Sequence, residues 1–400
     1  MTSEFTSGKP DFSMFDNSSE NNQNSNQDYT LNDPDNNLLI DLKELVPPEK
    51  RTEGEPVINI FLKALTFSGA SDLHLSYNVP PVLRKHGKLC PVKFKPFNPE
   101  TMKKMIYQIL DPSQRKDCDE KREVDACYDI LGVGRYRMNI FHQLYGLSAV
   151  FRSIPATIKA IDEVGLSEDI AKLSLYNQGF IVVTGATGSG KSTTLAAMID
   201  YINKKTSKHI VTIEDPLEFV HKNHRSIITH REVGTHSPSF AAALRAALRQ
   251  DPDVILLGEL RDIETIDIAL TAAETGHMVM GTLHTNNASE TVSRIISAFP
   301  ADRQNQAAMQ LSTVLRAIIS QDLLPSSDGG RCPIREILVG TTGIRAMIRD
   351  MKIPQIYSAI ETGKKDGMMT MTESVIKMQQ AGRITKEIAD QRIKELSSNH

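Results

Sequence analysis

The chain has 400 residues, with 46 basic against 49 acidic side chains and a formal net charge of −3. That length exceeds one ordinary core and points to two or three domains, and the balanced charge gives no general pull toward nucleic acid. No apolar run reaches the length of a membrane span and the N-terminus lacks a signal-peptide layout, so a soluble cytoplasmic protein without membrane insertion is expected.

Residues 1–54 read as a low-complexity tail. Asn, Ser, Asp and Gly dominate up to about residue 36, and so few aliphatic side chains cannot offset the entropy of ordering, so disorder is expected. Residues 37–45 read as a short amphipathic turn stopped by Pro47-Pro48. A small α+β domain is expected over 55–154. Val57, Ile58, Ile60, Phe61, Ala64 and Leu65 recur at helical spacing, with Gly69 just past the end. Strand-like runs follow at 71–77 and 82–89, the second turning at His86-Gly87; then come a helix at 99–110 and β runs at 123–131, 135–143 and 147–154. The cysteines Cys90, Cys118, Cys127 and Cys332 contain no Cys-x-x-Cys pair and read as reduced thiols.

Residues 155–178 read as a linker with a helix at 167–175. From 179 to 342 strands alternate with helices, the signature of a parallel sheet covered on both faces. Strands are expected at 180–184, 209–214, 254–258 and 278–282. Helices are expected at 192–203, 239–249 and 263–275, the last N-capped by Asp262 and followed by Gly276. Beyond Ala301 the pattern reads as helical throughout, with helices at 303–322, 344–350, 353–362, 372–380 and 385–396; residues 343–400 form a helical C-terminal region.

The motif Gly185, Ala186, Thr187, Gly188, Ser189, Gly190, Lys191, Ser192 and Thr193 follows an apolar β run and opens an alanine- and leucine-rich helix. That is the strand, loop and helix context of a phosphate-binding P-loop. Gly185 and Gly190 let consecutive N–H groups converge on one anion, Lys191 reaches the terminal phosphates, and the Ser192 hydroxyl is placed to hold Mg²⁺. Hydrolysis of a nucleotide such as ATP also needs acids. Val254-Ile-Leu-Leu-Gly258-Glu259 is an apolar strand ending in an acid, with Gly258 where a Walker B aspartate usually stands, so Glu259 is expected to hold Mg²⁺ through its water shell. Glu214, Asp215 and Glu218 end the strand at 209–214, on the side of the sheet where ligands bind. Glu214 is favoured to orient or deprotonate water, with its roles and those of Glu259 left interchangeable; helix capping or surface ion pairing is the other reading of these acids. His284 ends a strand and is placed to sense the γ-phosphate, whereas His277 reads equally well as a packed or surface residue. His221, His224 and His230 lack partners at metal-ligand spacing. Arg135, Arg137 and Arg152 are candidates to complete a neighbouring subunit's site, as are Arg231, Arg245, Arg249 and Arg261; ordinary ion pairing is the alternative.

These residues resemble a known family. Residues 185–194, Thr212-Ile-Glu-Asp-Pro-Leu-Glu-Phe-Val220, Asp251-Pro-Asp-Val-Ile-Leu-Leu-Gly-Glu-Leu-Arg-Asp262 and Ala273-Glu-Thr-Gly-His-Met-Val-Met-Gly-Thr-Leu-His-Thr285 match the Walker A, Asp box, Walker B and His box of secretion-type ATPases. Within that superfamily the chain resembles the twitching-motility pilus-retraction ATPases, from about residue 55 to about 384. The resemblance implies a PAS-like first domain, a RecA-like second domain, a homo-hexameric ring at the cytoplasmic face of the inner membrane, and ATP-driven pilus disassembly through an integral platform protein. A paralogous retraction ATPase is a further implied partner. Extension and secretion ATPases of the superfamily carry a four-cysteine metal module and a long folded N-terminal extension, which do not appear in this sequence. The family's Ala-Ile-Arg-Asn-Leu-Ile-Arg-Glu segment stands here as Gly343-Ile-Arg-Ala-Met-Ile-Arg-Asp350, keeping Arg345 and Arg349. Two other classes compete: a nucleotide-dependent regulator without motor activity, and a nucleic-acid ATPase, which lacks a basic stripe with interleaved aromatics.

Overall fold

Alternation of inward apolar and outward polar residues builds the first of two compact units, which meet in sequence at Ala156 and Thr157. The computed structural model describes residues 40–52, 54–154 and 157–398. The expected disorder of the tail therefore lies, up to residue 39, outside the described residues.

Six strands form the sheet of the first unit: β1 (Asp72–Leu75), β2 (Val82–Lys85), β3 (Lys88–Pro91), β4 (Glu123–Ile130), β5 (Gly134–Gln143) and β6 (Gly146–Ile154). They pair antiparallel in the order β3-β2-β1-β6-β5-β4. In β5 the period of two turns Tyr136, Met138 and Ile140 into the core, where they meet Ile58, Phe61, Leu62 and Leu65 of the helix Ile58–Phe67. Tyr136 is fully buried, and its hydroxyl donates to Leu62 O at 2.9 Å, so the largest core side chain keeps a polar partner. Beside it, the buried Lys63 and Glu55 pair at 2.8 Å.

Two expectations need correction here. The short amphipathic turn expected at 37–45 is present, over its described residues, as the helix Leu42–Leu45, but residues 40–52, grouped with the disordered tail 1–54, are ordered into this unit, with Leu42 and Val46 buried in its core. A helix at Pro112–Lys121 was not expected, because only Cys118 along it is buried and no apolar stripe marks it. Its start is fixed instead by a capping box between Asp111 and Gln114, with Pro112 in the first turn.

The second unit is built on β7 (Gly179–Thr184), β8 (His209–Glu214), β9 (Ile227–Glu232), β10 (Val254–Leu257), β11 (Met278–Leu283), β12 (Leu315–Pro325) and β13 (Arg331–Val339). The order is β13-β12-β7-β11-β10-β8-β9, parallel from β12 to β9, with β13 antiparallel at the edge. Each central strand divides its apolar residues between two cores. Phe180, Val182, Val211, Ile213, Ile255 and Leu257 face the helices Phe240–Ala247, Ile263–Glu274, Ala288–Ser297 and Gln304–Val314. Ile181, Val183, Ile210, Val254, Leu256 and Met280 face the helix Lys191–Lys205 and the segment around Ile170. The sheet is thus covered on both faces, which places its strand ends as the open rim.

The helix expected at 303–322 stops at Val314, and Leu315–Pro325 is β12. Leu311, Val314, Leu315 and Ile318 recur at helical spacing, while a strand buried on both faces lacks the polar alternation that would mark it, so the stretch fits either element. Ile318 enters one core while Ala317 and Ile319 enter the other. β9 and β13 were also missed: β9 shows no apolar alternation, with Ile227 exposed, Thr229, His230 and Arg231 half-buried and Glu232 buried, and β13 lies beyond Ala301, where the pattern reads as helical.

Candidate nucleotide-binding site

β7 ends at Thr184 and the chain turns sharply through 185–190 into the 15-residue helix Lys191–Lys205. Two glycines are required by space as well as backbone angle. Gly185 has φ +139°, and a Cβ there would lie 2.1 Å from Gln321 O; at Gly190, φ is +89° and a Cβ would lie 2.7 Å from Gln321 Nε2. The loop therefore lies flat on β12, with Ala186, Thr187 and Gly188 exposed, Ser189 buried, and Ser192 and Thr193 half-buried at the start of the helix. The helix N-terminus adds its partial positive charge to the loop amides. Lys191 is buried, and its Nζ donates to Gly185 O at 2.8 Å and Ala186 O at 3.0 Å. Burial pulls its ammonium pKa down, and the negative charge of Glu259 opposes that pull.

The acids stand on the neighbouring strand ends. Glu214 closes β8, only 7% exposed, and accepts the Glu218 N–H at 3.2 Å. Burial pushes its carboxyl up to about 7, against the lowering effect of hydrogen bonds from Glu218 N–H and the Thr212 hydroxyl. Thr212 also meets His230 Nδ1 at 2.9 Å, and His230 Nε2 accepts the His221 N–H at 3.2 Å, so a polar chain runs behind Glu214. His221 and His230 stack at 5.8 Å, and burial drives the His221 ring down to about 3. They support the Glu214 strand end.

Glu259 follows β10. Arg261 Nε donates to its Oε2 at 2.7 Å, and His284 Nε2 lies 3.4 Å from its Oε1. Arg261 also approaches Asp215 at 3.7 Å, which links the two acidic strand ends. The glycine before Glu259 has a spatial cause: a Cβ on Gly258 would sit 3.2 Å from Glu214 Cα and 3.4 Å from Ile213 O. The aspartate usual at that place would press on the β8 end, whose backbone would have to give by a few tenths of an ångström. Thr282 donates its hydroxyl to Gly258 O, holding β10 against β11.

Of the sequence-predicted residues, the loop, Glu214, Glu259 and His284 all belong to the second unit and gather at carboxyl ends of its strands. His277 lies at the opposite end of β11, its Nδ1 2.9 Å from Ala272 O, which makes it a packing residue. Arg135, Arg137 and Arg152 lie on one face of the first unit's sheet, Arg137 opposite Arg152 in register. Arg135 pairs with Asp129 at 2.9 Å and Arg152 with Asp72 at 2.8 Å, while Arg137 is exposed. Arg231 donates to Ala243 O and His236 O, and Arg245 pairs with Glu264, so these two serve the local fold. Gln321 and Arg335, which support the loop from beneath, escaped the sequence reading because Gln321 fell in the helix expected at 303–322 and no strand was expected at 331–339. The polar Ser320-Gln321 pair ending an apolar run was the available signal.

The donor set fits Mg²⁺. Among the described residues no cluster of three or more His, Cys, Asp or Glu side chains forms a cage of its own. Mg²⁺ bound with a nucleotide instead takes one or two protein oxygens and completes its shell with water and phosphate. The Ser192 hydroxyl and the Glu259 carboxylate are oxygens of that kind.

A parallel sheet, a glycine-rich loop running into a helix, a lysine in that loop and acids on adjacent strand ends together define a RecA-like P-loop NTPase. Residues 52–395 match the family model described as type II/IV secretion system protein. The chain belongs to that family. It is 45% identical over 326 residues to a type IV pilus retraction ATPase, PilT, of Pseudomonas aeruginosa, covering 82% of this chain and 95% of that one. It is 46% identical over 313 residues to a twitching motility protein of Neisseria gonorrhoeae, covering 78% and 84%. The crystal structure of the pilus retraction motor PilT with bound ADP superposes with a TM-score of 0.78 at 45% identity, covering 84% of this chain and 96% of that one.

Proposed function

We propose that this chain is an ATP-hydrolysing motor that powers type IV pilus retraction as a homo-hexameric ring. The observation that carries this reading is the 45% identity across 95% of a pilus retraction ATPase, which spans both the sheet that would bind nucleotide and the first unit. ATP seats its phosphates in the loop 185–193, with Lys191 turned from the loop carbonyls toward the terminal phosphates. Ser192 would hold Mg²⁺ directly and Glu259 through water, and the ion so held would supply charge neutralisation at the phosphates. Glu214, buried and protonating near neutrality, takes the proton of the attacking water. His284 senses the γ-phosphate from the far side of Glu259. Arg135, Arg137 and Arg152 are offered to a neighbouring subunit's nucleotide.

In this reading residues 55–154 are a PAS-like domain, 179–342 the RecA-like core and 343–400 a helical region that transmits movement. The ring works at the cytoplasmic face of the inner membrane against an integral platform protein, alone or with a paralogous retraction ATPase. No helix among the described residues is long and apolar enough to cross a membrane. The test pairs enzymology with genetics. Lys191→Ala should lower ATP turnover at least ~100-fold, the scale for losing a preorganised charge at a reacting phosphate, and a strain carrying only that variant should stop retracting pili. Unchanged turnover in the pure variant would refute the chemistry. Normal retraction in a strain lacking the gene and any paralogue would refute the biological role.

A further inference from the structure

Gln321 and Arg335 face each other in register on β12 and β13, and both are 4% exposed. The Gln321 amide makes three hydrogen bonds. Its Nε2 donates to Ser189 O in the phosphate loop, and its Oε1 accepts Thr194 Oγ1 at 2.8 Å and Arg335 Nε at 2.9 Å. Ser189 O can only accept and Arg335 Nε can only donate, so a flip of the amide would break both of those bonds. The two terminal nitrogens of Arg335 donate to Gly165 O at 3.1 Å and to Val164 O. Those carbonyls belong to a tight turn in which Gly165, at φ +71°, is followed by Leu166 and flanked by apolar packing of Val164 and Leu166. The turn lies in the stretch that enters the second unit from the first.

A continuous line of hydrogen bonds therefore runs from the loop backbone through one amide and one guanidinium to the entering chain. Burial pulls Arg335 down to about 10, which still leaves it charged at neutral pH. Its three acceptors are neutral oxygens, and a buried cation so held resists loss of any one of them. We propose that Gln321 and Arg335 are positioning residues that couple the phosphate loop to the turn at 162–166, so that a bound nucleotide stiffens the chain entering the domain. The inference rests on the nucleotide-binding reading above and deepens it. Coupling is reciprocal, so holding the turn also holds the loop in its nucleotide-binding shape.

Hydrogen exchange of the full chain, with and without saturating ADP and Mg²⁺, tests both readings separately. In the unaltered protein the nucleotide should slow exchange at 186–194 and, about fivefold, at 164–168, the factor associated with one net hydrogen bond. Arg335→Met should keep the protection at 186–194 and lose the nucleotide-dependent change at 164–168, with Arg335→Lys restoring part of it. Gln321→Asn, which shortens the link without removing the cation, should also uncouple the two segments and serves if Arg335→Met does not fold. Protection at the loop without any change at the turn in the unaltered protein would overturn the coupling, as would transmission that survives both substitutions. Protection at neither segment would overturn nucleotide binding itself.

Discussion

Glu214 offers a quantitative test of how the site is built. Its carboxyl, 7% exposed at the end of β8, holds its proton up to about pH 7, against an ordinary value of 4.5. Below pH 4.5 both folded and unfolded chains are protonated there, and the residue contributes no pH dependence. As pH rises, the unfolded carboxyl ionises first while the folded one resists, so stability falls until the folded group also ionises near pH 7. That interval is worth about 3 kcal/mol at ~1.4 kcal/mol per pH unit. Glu214→Gln keeps the shape of the protonated side chain and cannot ionise. The expected result is near-equal stability of the two proteins at pH 4.5 and an advantage for the variant that grows to about 3 kcal/mol by pH 8. Denaturant titrations at closely spaced pH values, followed by hydrogen exchange in β8, measure it. The same substitution should lower ATP turnover ~100-fold or more, since a carboxamide takes no proton. A stability difference that stays flat from pH 5 to pH 8 would refute the assignment of burial as the force on Glu214.

Further outcomes follow from the packing. Gly258→Asp restores the acid common at that place but drives a side chain against Glu214 Cα, 3.2 Å from the new Cβ. It should cost about 1–3 kcal/mol in the denaturant midpoint and should not raise turnover. In the first unit, Lys63→Met leaves Glu55 buried without its 2.8 Å partner and should destabilise that unit by about 3 kcal/mol, read from exchange in β5.

The chemistry of the second unit was legible in sequence because it is carried by short local patterns. The loop glycines answer to backbone angle and close approach, and Glu214 and Glu259 each end an apolar β run, which places them on the open rim of a covered sheet. The strands β7, β8, β10 and β11 were found for the same reason: each is a short, largely apolar run bounded by polar residues or glycine. Where the reading failed, periodicity was silent. β12 is buried on both faces, so its apolar run fits a helix as well as a strand, and losing β12 and β13 hid Gln321 and Arg335 with them. The helix at Pro112–Lys121 has a single buried residue, and only its cap betrays it. Gly258 was visible as an oddity, yet its cause is a contact with Glu214 across two strands that sequence spacing does not encode.

A structure determined with Mg²⁺ and a non-hydrolysable ATP analogue bears most directly on the proposed chemistry. It should show the γ-phosphate within ~3 Å of Lys191 Nζ, the metal on Ser192 Oγ, and both Glu214 and Glu259 within reach of a single water beside that phosphate. A triphosphate bound elsewhere, or both carboxylates turned away beyond the span of one bridging water, would contradict it.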